Sequence, residues 1–162
     1  MTEPTLSMCP CPLCEGPILA KAYCIEVPLP PPTLHPNKLP RTAQARGRRD
    51  ADKAKYRSDC TACILAAVRT EYYLKELVKS CAITYLYRFQ NPKAGHHDQD
   101  NLIAWAKVAL DCLQGHVIEN DRGVKALHAI QEKKAKRSGL IINILAFGEK
   151  PVMASARATT DE

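Results

Sequence analysis

Between His97 and Asp121 the chain reads HDQDNLIAWAKVALDCLQGHVIEND, and its acids and one lysine are spaced to act together. Asp98 and Asp100 alternate across one residue, just after a loop containing Pro and Gly. From Asp100, Lys107 follows at +7 and Asp111 at +11. At 100° per residue a helix places these three within about 40° of one another. Leu102, Trp105, Ala106, Ala109 and Leu113 point the opposite way, as a core-facing stripe. Asp121 follows the turn that ends the helix. Carboxylates gathered around one lysine serve stability poorly and suit Mg²⁺ held beside a phosphodiester.

Each residue also has a plainer explanation. Asp98 or Asp100 could cap a helix N-terminus, where a carboxylate satisfies free N–H groups. Lys107 and Asp111 could be an ordinary i,i+4 surface pair. Capping needs one acid, however, and explains neither an alternating pair nor a further acid beyond the helix.

The elements that must position these residues are legible from periodicity. Tyr23, Ile25 and Val27 alternate, predicting a short strand from Lys21 to Pro28. PLPPPTLHPNKLP is too rich in proline for a helix or central strand and predicts an extended loop. From Arg48 to about Lys75, Tyr56, Cys60, Cys63, Ile64, Ala67 and Val68 recur by threes and fours, predicting a helix bent near Thr70. Cys81, Ile83, Tyr85, Tyr87 and Phe89 alternate in the clearest strand, which leads directly into the acidic segment. One helix is expected from Asp100 to Gln114, stopped by Gly115. Val124–Gln131 and Leu140–Phe147 are expected to form a hairpin about the basic turn EKKAKRSG. The order β-α-β-α-β-β predicts an α+β fold, a mixed four-stranded sheet with helices packed on it. Residues 1–20 read as a Cys/Pro-rich extension, 21–147 as the domain and 148–162 as a flexible tail.

The chain has 162 residues and a formal net charge of +6. That length suits one domain with a substantial core. No apolar run reaches the roughly 18 residues of a membrane span, and the first residues lack a basic start followed by an apolar stretch, so a secretory signal is not expected. Charge is unevenly placed: eight basic residues lie between Lys38 and Arg57 against Asp50 and Asp52 alone, with Arg46, Arg48 and Arg49 at the centre. Lys133, Lys134, Lys136 and Arg137 form a second cluster. Basic flanks around an acidic centre suit an enzyme that holds a polyanion and cuts it over metal ions; solvated faces are the plainer reading.

Among the eight cysteines, Cys11-Pro-Leu-Cys14 resembles half of a zinc knuckle and Cys60-Thr-Ala-Cys63 offers a second pair. The second pair falls on the apolar side of its helix, where Cys behaves as a small hydrophobe. With no export signal, reduced thiols are expected rather than disulfides. His96 and His97 are better suited to DNA phosphate or solvent than to a Mg²⁺ site, and Trp105 to packing.

Taken together, Asp98-Gln99-Asp100-Asn101-Leu102, Lys107, Asp111-Cys112-Leu113 and Glu119-Asn120-Asp121, with IEVPLPPP upstream, resemble the RusA family of Holliday junction resolvases. The resemblance spans about Ala22 to Phe147. It departs from the family pattern in having Asn120-Asp121 for two adjacent aspartates, and Lys107 at +7 rather than +4 from the second Asp of the pair. What it implies is a crossover junction endodeoxyribonuclease, a hydrolase of phosphodiester bonds acting in DNA recombination and repair. Asp98, Asp100 and Asp121 would be its metal-binding acids, Lys107 its essential lysine and Asp111 a supporting acid. Mg²⁺, with Mn²⁺ as substitute, would be the cofactor. Arg46, Arg48, Arg49, Lys133, Lys134 and Arg137 would contact DNA. A homodimer acting on four-way junctions in bacterial cytoplasm, encoded by the cell or a phage, is the implied setting. The alternative is a non-catalytic DNA-binding or zinc-stabilised interaction protein of the same fold, with Zn²⁺ at Cys11 and Cys14.

Overall fold

Strict alternation decides the centre of the sheet. In a computed structural model, which describes residues 21–70, 77–91 and 97–147, every second residue of β2 (Cys81–Phe89) is buried, from Cys81 through Ile83, Tyr85 and Tyr87 to Phe89. β1 (Lys21–Val27), β3 (Val124–Lys133) and β4 (Gly139–Ala146) complete a four-stranded mixed sheet in the order β1-β4-β2-β3. β4 runs antiparallel to both neighbours, whereas β2 and β3 are parallel. The α+β class and mixed sheet are as expected.

The expected hairpin between β3 and β4 does not form, because β2 lies between them. The connecting segment steps over the end of β2: Ala135 N–H donates to Phe89 O at 3.1 Å and Gln90 N–H to Ser138 Oγ at 3.1 Å. Lys134 turns this corner with φ 61°. A central position suits β2 best, since it buries the most continuous row of large side chains.

Helices cover one face. α1 (Ala43–Thr70) packs on β1 and on the helix Lys107–Leu113. It starts earlier than expected because Thr42 Oγ1 accepts from Ala45 N–H at 3.1 Å, a cap that satisfies a free donor of the first turn. Tyr56, Cys60 and Ile64 of its apolar stripe are buried, and Cys63, Ala67 and Val68 half-buried. Among the described residues nothing covers the opposite sheet face: Ile130, Leu86 and Ile141 are register partners across three strands, with Ile130 55% exposed.

The single helix expected from Asp100 to Gln114 is two, α2 (Gln99–Trp105) and α3 (Lys107–Leu113), joined at Ala106 with φ −78° and ψ −3°. The interruption falls where Trp105 is anchored. Its indole N–H donates to Pro31 O at 3.0 Å and its ring stacks on Tyr87 with centroids 5.6 Å apart. Leu102, Trp105, Ala106, Ala109 and Leu113 are all buried, as their spacing predicts. α3 also buries Val108, Leu110 and Cys112, leaving Lys107 and Asp111 toward solvent. Gly115 ends it with φ 74°, the left-handed conformation that glycine adopts without strain. No helix of the described residues is long and apolar enough to cross a membrane. The extension at 1–20, the tail at 148–162, and with them Cys11, Cys14 and His96, lie outside the described residues.

Candidate active site

The acidic segment hangs from three anchors. Strand β2 ends at Phe89, so Asp98 and Asp100 open α2 at the carboxyl end of the parallel strands, the end where open α/β sheets place ligands. Asp98 occupies the N-cap position with φ −66° and ψ 150°, yet its side chain makes no capping hydrogen bond. Among the described residues Asp100 Oδ1 accepts from the adjacent Asn101 N–H alone, at 2.8 Å. Both side chains are exposed. The capping explanation therefore does not account for Asp98.

The second anchor is the turn after α3. Val117 and Ile118 are fully buried. Val78 N–H donates to Val117 O at 2.9 Å and Glu119 N–H to Val78 O at 3.0 Å, tying this turn to the segment that enters β2. The exposed run Glu119-Asn120-Asp121 is thereby held against the helix, with Asp121 opening a 3₁₀ turn at Asp121–Gly123.

Lys107 is the meeting point. Its Nζ lies 3.0 Å from Asp111 Oδ1 and 3.5 Å from Asp121 Oδ2. The side chains of Lys107 and Asp121 are 54% and 49% exposed. The hydrogen bond to Asp111 is the main influence raising the Lys107 pKa above its ordinary value, with burial opposing and Asp121 adding to the rise. The lysine is thus a fixed cation at neutral pH. Near Asp111, Tyr85 is buried with its hydroxyl unpartnered among the described residues, and burial, then Cys81, then the charge of Asp111 hold its pKa up. Among the sequence-predicted residues, Lys107, Asp111 and Asp121 come together. No ion pair or hydrogen bond among the described residues links Asp98 or Asp100 to them. The angular argument placed Asp100 and Lys107 on one face, but seven residues of helix also separate them by about 10 Å along the axis. The acids line a strip along α2 and α3 instead of closing on one point.

Among the described residues no three of His, Cys, Asp and Glu converge as a ready-made metal cage. Mg²⁺ does not require one: it takes one or two carboxylates and completes its octahedron with water and phosphate oxygens. The uncapped Asp98, with Asp100 two residues on, fits that kind of donor set. No family model matches this chain, and no curated protein resembles it significantly in sequence. The site therefore rests on its own geometry.

The two basic groups expected to contact DNA are also placed. Arg46, Arg48 and Arg49 belong to the first turns of α1, and Arg49 Nη1–H donates to Lys38 O at 3.3 Å. Lys133, Lys134 and Arg137 lie exposed about the β3–β4 connection, where Arg137 pairs with Glu26.

Sequence reasoning missed a cluster beside Asp98. Asn37 N–H donates to His35 Nδ1 at 3.3 Å, so His35 Nε2 carries the hydrogen and donates to His97 Nδ1 at 3.2 Å. His97 is half-buried, and its backbone N–H donates to Gln131 Oε1 at 3.2 Å. Trp105 closes the group, with ring centroids 5.1 Å from His35 and 5.7 Å from His97. Histidine following a proline run was the available signal, but pairing across 62 positions is not visible in spacing.

Burial first, then the charges of His97 and Lys38, lower the His35 pKa. The unfolded chain takes up a proton near the ordinary histidine value of about 6.5, while the folded state resists it. Stability is therefore unaffected above that value and declines as pH falls through it toward the lowered folded value. Melting temperature is expected to drop between neutral pH and about pH 5, and His35→Gln to shrink the drop. An equal drop in the variant would remove His35 as its cause.

The cysteines are also placed. Cys60 lies in the core, and burial is the main influence pushing its thiol up to about 12. A protonated, inaccessible thiol is neither nucleophile nor zinc ligand. Cys24 is exposed on the uncovered face. Brief alkylation of the folded protein followed by peptide mapping is expected to modify Cys24 and spare Cys60. Equal labelling would overturn the core position.

Proposed function

We propose that the protein is a Mg²⁺-dependent endonuclease that hydrolyses phosphodiester bonds in branched DNA, four-way junctions above all. The observation that carries the reading is the convergence of Asp121 on Lys107 from a separate segment, 14 residues on in the chain. A stable surface helix has no need of that third group. The resemblance to junction resolvases calls for an acid from the post-helix turn beside the helical lysine.

In this reading Asp98 and Asp100 would hold the ion, and Asp121, at the Lys107 end of the strip, would set the lysine rather than share the metal. When bound, Mg²⁺ supplies an activated water and neutralises charge on the phosphoryl oxygens. Lys107 offers a fixed positive charge to a phosphate lying along the strip, and Asp111 orients that ammonium through its 3.0 Å contact. The basic groups near the α1 start and the β3–β4 connection hold the DNA backbone on either side. A homodimer presents two copies of the site to the two equivalent strands of a junction with approximate two-fold symmetry.

A second reading is a DNA-binding protein of the same fold without catalysis, favoured by the lack of a closed three-ligand group among the described residues. Incubation of the purified protein with a synthetic four-way junction separates the two. Paired nicks that require Mg²⁺ support the enzyme, and binding without any nick supports the alternative.

A further inference from the structure

Beside Asp98 the structure holds a hollow that the chemistry above does not use. A cavity of about 450 Å³ lies between the proline loop and α2, lined by Pro32, His35, Asn37, Lys38, His97 and Trp105. Its size falls within the range of small-molecule sites, roughly 300–1,000 Å³. Three ring systems make its wall, and their order is fixed by the His35–His97 bond and by the Trp105 bond to Pro31. A second hollow, about 370 Å³, adjoins it at Lys38 and is lined by Thr33, Arg41, Thr42, Arg48 and Arg49 among others. Among the described residues no carboxylate lines either one.

We infer that the two hollows together hold one unstacked nucleotide, its base against the rings of His35 and His97 and its phosphate among Lys38, Arg48 and Arg49. The complementarity is of two kinds at once. A flat π-face is matched by aromatic rings, whose stacking on a base is worth about 1–3 kcal/mol. A phosphate is matched by the cations Lys38, Arg48 and Arg49, the nearby Asp52 being engaged by the Thr33 hydroxyl at 2.6 Å. A paired base inside a duplex does not offer its face, so the occupant must be splayed out of its stack. That this nucleotide lies at the branch point of a junction rests on the nuclease reading. The chain continues from His97 straight into Asp98, so a base seated here delivers its neighbouring phosphate toward the acidic strip.

Trp105 is the only tryptophan of the chain, so its emission reports from the wall of this cavity. The full chain is titrated with short oligothymidylate in EDTA, where nothing is cut, and in parallel with an abasic oligonucleotide of equal length and with polyglutamate. Saturable quenching by oligothymidylate is expected, with at least tenfold weaker response to the abasic strand and none to polyglutamate. Lys38→Ala changes an exposed side chain and His97→Ala a ring of the wall, and each is expected to weaken quenching at least tenfold. Unchanged melting of Lys38→Ala excludes misfolding as the cause. Equal quenching by the abasic strand or by polyglutamate overturns the base site. So does a junction cut normally by a protein whose emission oligothymidylate does not alter, and this leaves the nuclease reading intact. Saturable, base-dependent quenching in a protein that never nicks a junction upholds the pocket and removes the nuclease.

Discussion

Asp121→Asn is expected to lower Mg²⁺-dependent nicking of a four-way junction by about 10–100-fold while leaving the fold intact. The magnitude is that of removing a partner that orients a group at a metal centre, not a ligand itself: Asp121 sits 3.5 Å from the Lys107 ammonium. The fold is spared because its pair with Lys107 is long, at 3.5 Å, and half-exposed. Such pairs contribute roughly 0–1 kcal/mol. Asp100→Asn is expected to behave the same way, with junction binding retained, since affinity comes from the basic groups. Asp59→Asn supplies the comparison. It breaks an exposed ion pair of α1, Lys55–Asp59 at 2.8 Å, that has no assigned part in the site, and should leave nicking unchanged. If Asp121→Asn and Asp100→Asn nick as fast as Asp59→Asn, the acids are surface charges and the enzymatic reading fails.

Much of this geometry was legible in the chain, and the parts that were not share a cause. Residues whose neighbours are close in sequence declared themselves. The alternation of β2, the buried stripe of Leu102, Trp105, Ala106, Ala109 and Leu113, and the stop at Gly115 all follow from local periodicity and φ preference. Strand order did not, because β3 and β4 are adjacent in sequence while the competition for the sheet centre is decided by how much each strand can bury. β2, with two tyrosines and a phenylalanine inward, wins that place and separates them. The break at Ala106 was hidden likewise. It depends on a hydrogen bond from Trp105 to Pro31, 74 positions away. The helix arithmetic that aligned Asp100 with Lys107 counted angle and ignored rise, and so overstated their convergence. Asp121 meeting Lys107 was anticipated from the resemblance, and its physical cause, the Val78–Val117 and Val78–Glu119 bonds, lies outside any motif.

The position of Asp121 also makes Gly123 a point of high sensitivity. A Cβ added there would lie 2.1 Å from Lys79 O and 3.0 Å from Lys79 C. Both are backbone atoms, so no side-chain end can swing aside. Lys79 cannot withdraw easily either: on one side Val78 is bonded to Val117 and Glu119, and on the other Ser80 O accepts from Phe147 N–H at 2.8 Å. Gly123→Ala must therefore push the 3₁₀ turn outward. Overpacking of this kind costs about 1–3 kcal/mol or more, which for a domain of this size lowers the melting temperature by roughly 4–10 °C. Asp121, two residues earlier, moves with the turn and away from Lys107. Nicking should fall along with stability, even at temperatures where the variant is fully folded. Gly115→Ala separates the two effects. Its Cβ would meet nothing within 4 Å, but its φ of +74° strains any side chain, at about 1–2 kcal/mol. It should lose stability with little displacement of Asp121, and retain more activity than Gly123→Ala at equal folded fraction. A Gly123→Ala protein that melts and nicks like the parent would mean the turn does not rest on Lys79, and Asp121 would lose the support that sets it beside the lysine.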